Sequence, residues 1–139
     1  MLSLQAVESA IVEALSATAE FKEVGRWSGQ LEELLRNPAR HPSAWCLFSG
    51  SSTGSNLRIG SIGYNHTQQW NVMMFLPQQR GLSSSAEDAV YAPLAAVRQA
   101  LTGLAIGEGQ LWPVSVKLVD VVAGVLIYDM GFTITGEEE

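Results

Sequence analysis

Two histidines, His41 and His66, and one cysteine, Cys46, are the only imidazole and thiol groups in this 139-residue chain. A zinc site needs three or four such ligands with at least one close pair. His41 and Cys46 stand on either side of Pro42 with no third ligand at a recognisable spacing, so they read as a loop histidine and a buried core cysteine. No metal and no cofactor is expected. Gly50-Ser51-Ser52-Thr53-Gly54 matches the G-x-S-x-G turn that exposes a nucleophilic serine in α/β-hydrolases. That turn opens a helix, and its triad runs serine, acid, histidine. Here SNLRIGSIG follows, and no histidine lies beyond His66. Ser49–Asn56, built only of Ser, Gly, Thr and Asn, is expected to be a mobile surface loop. Hydrolysis or small-molecule binding at Ser52 is the runner-up. Gly107-Glu108-Gly109 lacks the third glycine of a dinucleotide fingerprint, and no G-K-[ST] phosphate loop occurs. No catalytic residue is assigned, and the chain is not expected to be an enzyme.

Charge narrows the partners. Charged residues make up 16% of the chain, against about 25% in typical soluble domains. The eight cations are scattered from Lys22 to Lys117, whereas a phosphate backbone requires several on one face, so nucleic acid is not expected as a partner. Of the 14 acids, three form the terminal run Glu137, Glu138 and Glu139; the remaining 11 against eight bases leave the body at −3. The expected organisation is one domain over 1–136 and a disordered acidic tail over 137–139. The longest apolar stretch, Val114–Ile134, is interrupted by Lys117, Asp120 and Asp129 and does not span a membrane. The start lacks the basic and apolar regions of a signal peptide, which makes the cytoplasm the expected compartment.

The elements that would position any site follow from periodicity. Leu4, Val7, Ile11 and Leu15, behind Ser3 as N-cap, form the apolar stripe of a first helix ending near Thr18. Phe21–Trp27 offers a short strand, Leu31–Arg36 a single helical turn, and Ser43–Ser49 a strand buried on both faces. Leu57–Tyr64 and Thr67–Leu76 make a hairpin. Ser84 or Ser85 caps a second helix whose stripe is Val90, Leu94, Val97 and Leu101, with Pro93 marking a kink or a late start. Gly103 ends it. Trp112–Val122 and Val125–Thr135, β-branched and joined by Ala123 and Gly124, form a final hairpin. The order α, two to four strands, α, two strands is that of an α+β fold: a mainly antiparallel sheet with two helices packed on it.

The succession LQAVESAIVEALSA, EVGRWSGQLEELLRNP, AWCLFSG, TQQWNVMMFL, VYAPLAAVRQALTGL and VKLVDVVAGVLIYDMGFTIT resembles the small tail proteins of Mu-like phages and prophages from Leu2 to about Thr135. The resemblance implies a structural role as a tail terminator, with a fold similar to the terminator of lambda-like long-tailed phages. It implies a homo-oligomer, a six-membered ring capping the tail tube, present as such or formed on the tube from a monomer. The implied partners are the tail tube protein and a head-completion or connector protein, and the implied location is the host cytoplasm, then the virion tail. Another connector or tail-completion role is the nearest alternative. Arg26, Trp27, Arg58, Tyr64 and Arg80, aromatic or arginine residues near element ends, are the expected interface.

Overall fold

The computed structural model describes residues 2–37, 40–54, 64–77, 90–122 and 124–138. In chain order the elements are α1 (Leu4–Ala17), β1 (Glu23–Arg26), α2 (Leu31–Arg36), β2 (Ser43–Gly54), β3 (Tyr64–Pro77), α3 (Ala92–Leu101), β4 (Ala105–Ile106), β5 (Gly109–Val122) and β6 (Val125–Glu138). The strands form one six-stranded sheet in the order β1-β2-β3-β6-β5-β4. Only β1 and β2 run parallel; the other neighbours are antiparallel. This is the α+β architecture that the periodicity implies, with α2 as a third, short helix.

α1 forms where its stripe requires it. Ser3 Oγ accepts a hydrogen bond from the Ala6 amide at 3.3 Å, which satisfies one of the free N–H groups of the first turn. Val7, Ile11 and Leu15 are fully buried, while Leu4 is exposed at the end of the stripe. α3 starts late: it begins at Ala92 with Pro93 in its first turn, where a missing N–H costs nothing. Val97 and Leu101 carry its buried face. The expected cap at Ser84 or Ser85 lies outside the described residues.

The two helices cover one face of the sheet, meeting Ala44, Cys46, Trp70, Val72, Met74, Met130, Phe132 and Ile134 in the main core. Trp70 Nε1 donates to Gln68 Oε1 at 3.0 Å, and Gln68 Nε2 donates to the Leu2 carbonyl at 2.8 Å. The buried amide thereby ties the chain start to the sheet. On the opposite face α2 sets Leu34 against Trp45, Phe75, Val125 and Ile127 in a second, smaller core.

Two expectations are corrected here. Ser49–Gly54 is strand rather than mobile loop: residues 50–54 pair with Gln69 to Asn65, past a bulge between Phe48 and Gly50. Small polar residues without an apolar face extend because β3 supplies the ladder. β6 likewise carries Glu137 and Glu138 opposite Asn65 and Tyr64, so the backbone of the expected disordered tail continues the sheet through Glu138.

Trp70 is 1% exposed at the centre of the main core, and Trp70→Ala should lower the unfolding free energy by about 3–5 kcal/mol in urea denaturation. Acidification acts through two other groups. Burial holds the His41 imidazole below its usual 6.5, and the Arg40 guanidinium, whose Nε donates to Glu23 Oε2 at 2.6 Å, holds the Glu23 carboxyl below its usual 4.5. In both cases the unfolded chain binds the proton more readily. Stability should therefore fall as pH drops below 6.5 through His41, and again below 4.5 through Glu23. Denaturant midpoints measured across pH should show His41→Gln flattening the upper segment and leaving the lower.

Candidate assembly surface

β4 contributes only Ala105 and Ile106, opposite Gln110 and Gly109 of β5. Leu111 is still bonded on its outer side, donating to the Leu104 carbonyl at 3.0 Å and accepting from the Gly103 N–H at 2.7 Å. From Trp112 to Val122 the ladder gives β5 one neighbour among the described residues, β6, and the outer edge of this stretch is open to them.

Two bulges, between Pro113 and Ser115 and between Leu118 and Asp120, each insert one residue and reset the alternation of β5. As a result Leu111, Pro113, Val116, Leu118 and Val121 stand beside Ile134, Phe132, Met130, Tyr128 and Leu126, on the helix-bearing face. Trp112, Ser115, Lys117, Asp120 and Val122 stand on the other face. Leu111 is buried, but Trp112, Val114, Val116, Leu118, Val119 and Val121 are 47–64% exposed. α3 flanks only the first part of the strip. Leu94, Ala95 and Arg98 face residues 113–116 across a groove of about 470 Å³. A contiguous apolar strip of this kind along an open edge is unusual for a chain that works alone.

The sheet beside it is polar. Asn71 Nδ2 donates to Asp129 Oδ1 at 2.7 Å, and Ser49 Oγ donates to Asn71 Oδ1. Gly131 lies between these side chains and Ser115: a Cβ there would stand 3.0 Å from Ser115 Oγ, so any side chain at this position requires the serine hydroxyl to shift.

The residues with chemical potential are engaged in structure. Ser52 lies in extended β2 opposite Thr67, which is not the sharp strand-to-helix turn of a nucleophile elbow. His41 is 2.9 Å from Ser43 Oγ through Nδ1 and 2.9 Å from the Leu34 carbonyl through Nε2, and its ring stacks on Phe75. Burial pushes the Cys46 thiol up to about 12, away from the reactive thiolate. Among the described residues no group of three or more His, Cys, Asp or Glu is placed to hold a metal.

The five expected interface residues are dispersed. Arg26 is exposed at the end of β1, the sheet edge opposite β5. Trp27 is half-buried and stacks on Phe75 at 5.9 Å, packing against the second core. Tyr64 opens β3 opposite Glu138, and Arg58 and Arg80 lie outside the described residues. The β5 strip is absent from that set. Its signal was present in the sequence as apolar residues at consecutive positions, Leu118-Val119 and Val121-Val122, that a strand with one wet face does not need.

The profile of the phage tail terminator protein family matches residues 1–137. The chain belongs to the phage tail terminator family. It is thus a structural protein of the phage tail, with an uncovered apolar strip on its sheet edge. A solved structure described as the virion of a native gene transfer agent particle contains a chain similar in fold. The two share 16% identity over 96% of each chain, with a TM-score of 0.55. No curated protein matches. No helix among the described residues of this terminator-family chain is long and apolar enough to cross a membrane.

If the strip serves contacts rather than the fold, Leu118→Thr and Val121→Thr should each change the unfolding free energy by less than about 0.5 kcal/mol. Binding of a hydrophobic dye to the folded protein should fall in the same variants.

Proposed function

We propose that this chain caps the end of a phage tail tube as a ring, stops further tube polymerisation and presents the surface on which the head is joined. The observation that carries this reading is the strip Val114–Val121, which a terminator-family fold leaves in water along an open strand edge. Subunits related by a closing rotation make heterologous contacts, so each buries two different patches. A low surface charge suits such a subunit. Ring size six, host cytoplasm before assembly, and a Mu-like contractile tail are the finer parts of the proposal, taken from the resemblance in the sequence. Arg26, Trp27, Arg58, Tyr64 and Arg80 are proposed as contacts to neighbour or tube.

The test is assembly itself. Purified tail tubes grown with the wild-type protein should stop at a fixed length in negative-stain images, with one extra ring of density at one end. Leu118→Lys should keep its melting temperature but leave tubes uncapped. Tubes that grow past the normal length with wild-type protein present would end the terminator reading, and binding to heads without any effect on tube length would replace it with a connector role.

A further inference from the structure

The open edge of β5 sets conditions on whatever covers it. Its outward backbone groups call for an extended strand, the helix-bearing face calls for apolar side chains beside Val116, Leu118 and Val121, and the other face calls for charges beside Lys117 and Asp120. β5 meets all three conditions itself. If two copies lie antiparallel about a two-fold axis between Leu118 and Val119, Val116 stands opposite Val121 of the second copy, Ser115 opposite Val122, and Lys117 opposite Asp120. Every one of these pairs matches face for face, because the bulge at Val119 places Lys117 and Asp120 on one face and Val116 and Val121 on the other. Without the bulge, residues 117 and 120 would point to opposite faces. A slip of one residue would set Lys117 against Val119 or Val121 and lose both ion pairs.

We infer that in the free protein two copies pair through β5, residues 114–122, as an antiparallel two-fold joint closed by Lys117–Asp120 pairs across the seam. Asp120 Oδ1 already accepts the Val121 amide at 2.8 Å, which leaves Oδ2 for the lysine. The groove between α3 and residues 113–116, with Arg98 on its wall, lies beside Val116 and takes Val121 of the second copy. The joint is isologous and closes on itself. It goes beyond the capping role and does not require it. Its consequence for capping does rest on that reading: a dimer that covers the strip withholds it until a tail end offers another cover.

Sedimentation of the purified full chain, without tubes, over about 1–100 μM should show a monomer–dimer equilibrium. Lys117→Asp and Asp120→Lys each turn two attractive cross-strand pairs into repulsive ones and should raise the dimer Kd about tenfold or more. The combined variant restores both pairs in reverse and should return to within about threefold of wild type. Lys117→Gln, which sets no new acid beside Asp129 of β6, should weaken the dimer about threefold, and melting temperatures identify any variant that fails to fold. A wild-type chain that stays monomeric, or forms only rings, overturns the inference, as does a dimer indifferent to the single reversals or not recovered by the combined one. Tube capping is measured separately, so a monomer that still caps defeats the joint alone, and a dimer that never engages tubes defeats the capping role alone.

Discussion

β3 and β6 run against each other without a register shift from Tyr64 opposite Glu138 to Pro77 opposite Val125. The other long ladders break at bulges, β2–β3 after Phe48 and β5–β6 at two places. Because side chains alternate strictly along an unbroken ladder, this pairing fixes which residues face α1 and α3 and which face α2. Trp70, Val72 and Met74 of β3 and Met130, Phe132 and Ile134 of β6 fall together on the helix-bearing side, and Phe75 and Ile127 fall together on the other. Both cores are consequences of one register.

The groups that sequence chemistry singles out serve this frame. His41 bridges the α2 carbonyl of Leu34 to Ser43 at the start of β2, and Ser43 Oγ also accepts the Trp45 indole N–H at 3.0 Å. Arg40 holds Glu23 of β1 and reaches Glu33 of α2 at 3.3 Å. These contacts anchor the short helix and the parallel edge strand. Satisfying polar groups in this way engages the His41 imidazole and the charges of Arg40, Glu23 and Glu33. What remains outside is the weakly charged, apolar rim of β5.

Periodicity made the frame largely legible. α1 was readable from Val7, Ile11 and Leu15, and the final hairpin from its β-branched run and Gly124, whose φ of +78° suits the turn. Ser49–Gly54 was not, since nothing in six small polar residues signals a strand; their conformation comes from β3, a partner distant in sequence. β4 is two residues long and carries no pattern at all. The candidate assembly surface shows in the sequence as a deficit of charge and as the consecutive apolar pairs Leu118-Val119 and Val121-Val122. Which face each residue takes is not legible there, because the bulges at Val114 and Val119 reset the alternation and bulges are not written in hydrophobic patterning. Arg26 and Tyr64 lie at the end of β1 and the start of β3, whereas the exposed aliphatics lie in the middle of β5.

An open, β-branched edge also bears on how long the chain survives unassembled. Between Val114 and Val122 the only charges in a sequence well suited to stacking strand on strand are Lys117 and Asp120, and among the described residues neither a proline nor a covering helix protects its second half. The same two charges that would select one partner register are thus the gatekeepers against runaway aggregation. Solubility and recognition share two side chains, so sequence drift at either position spends both properties at once.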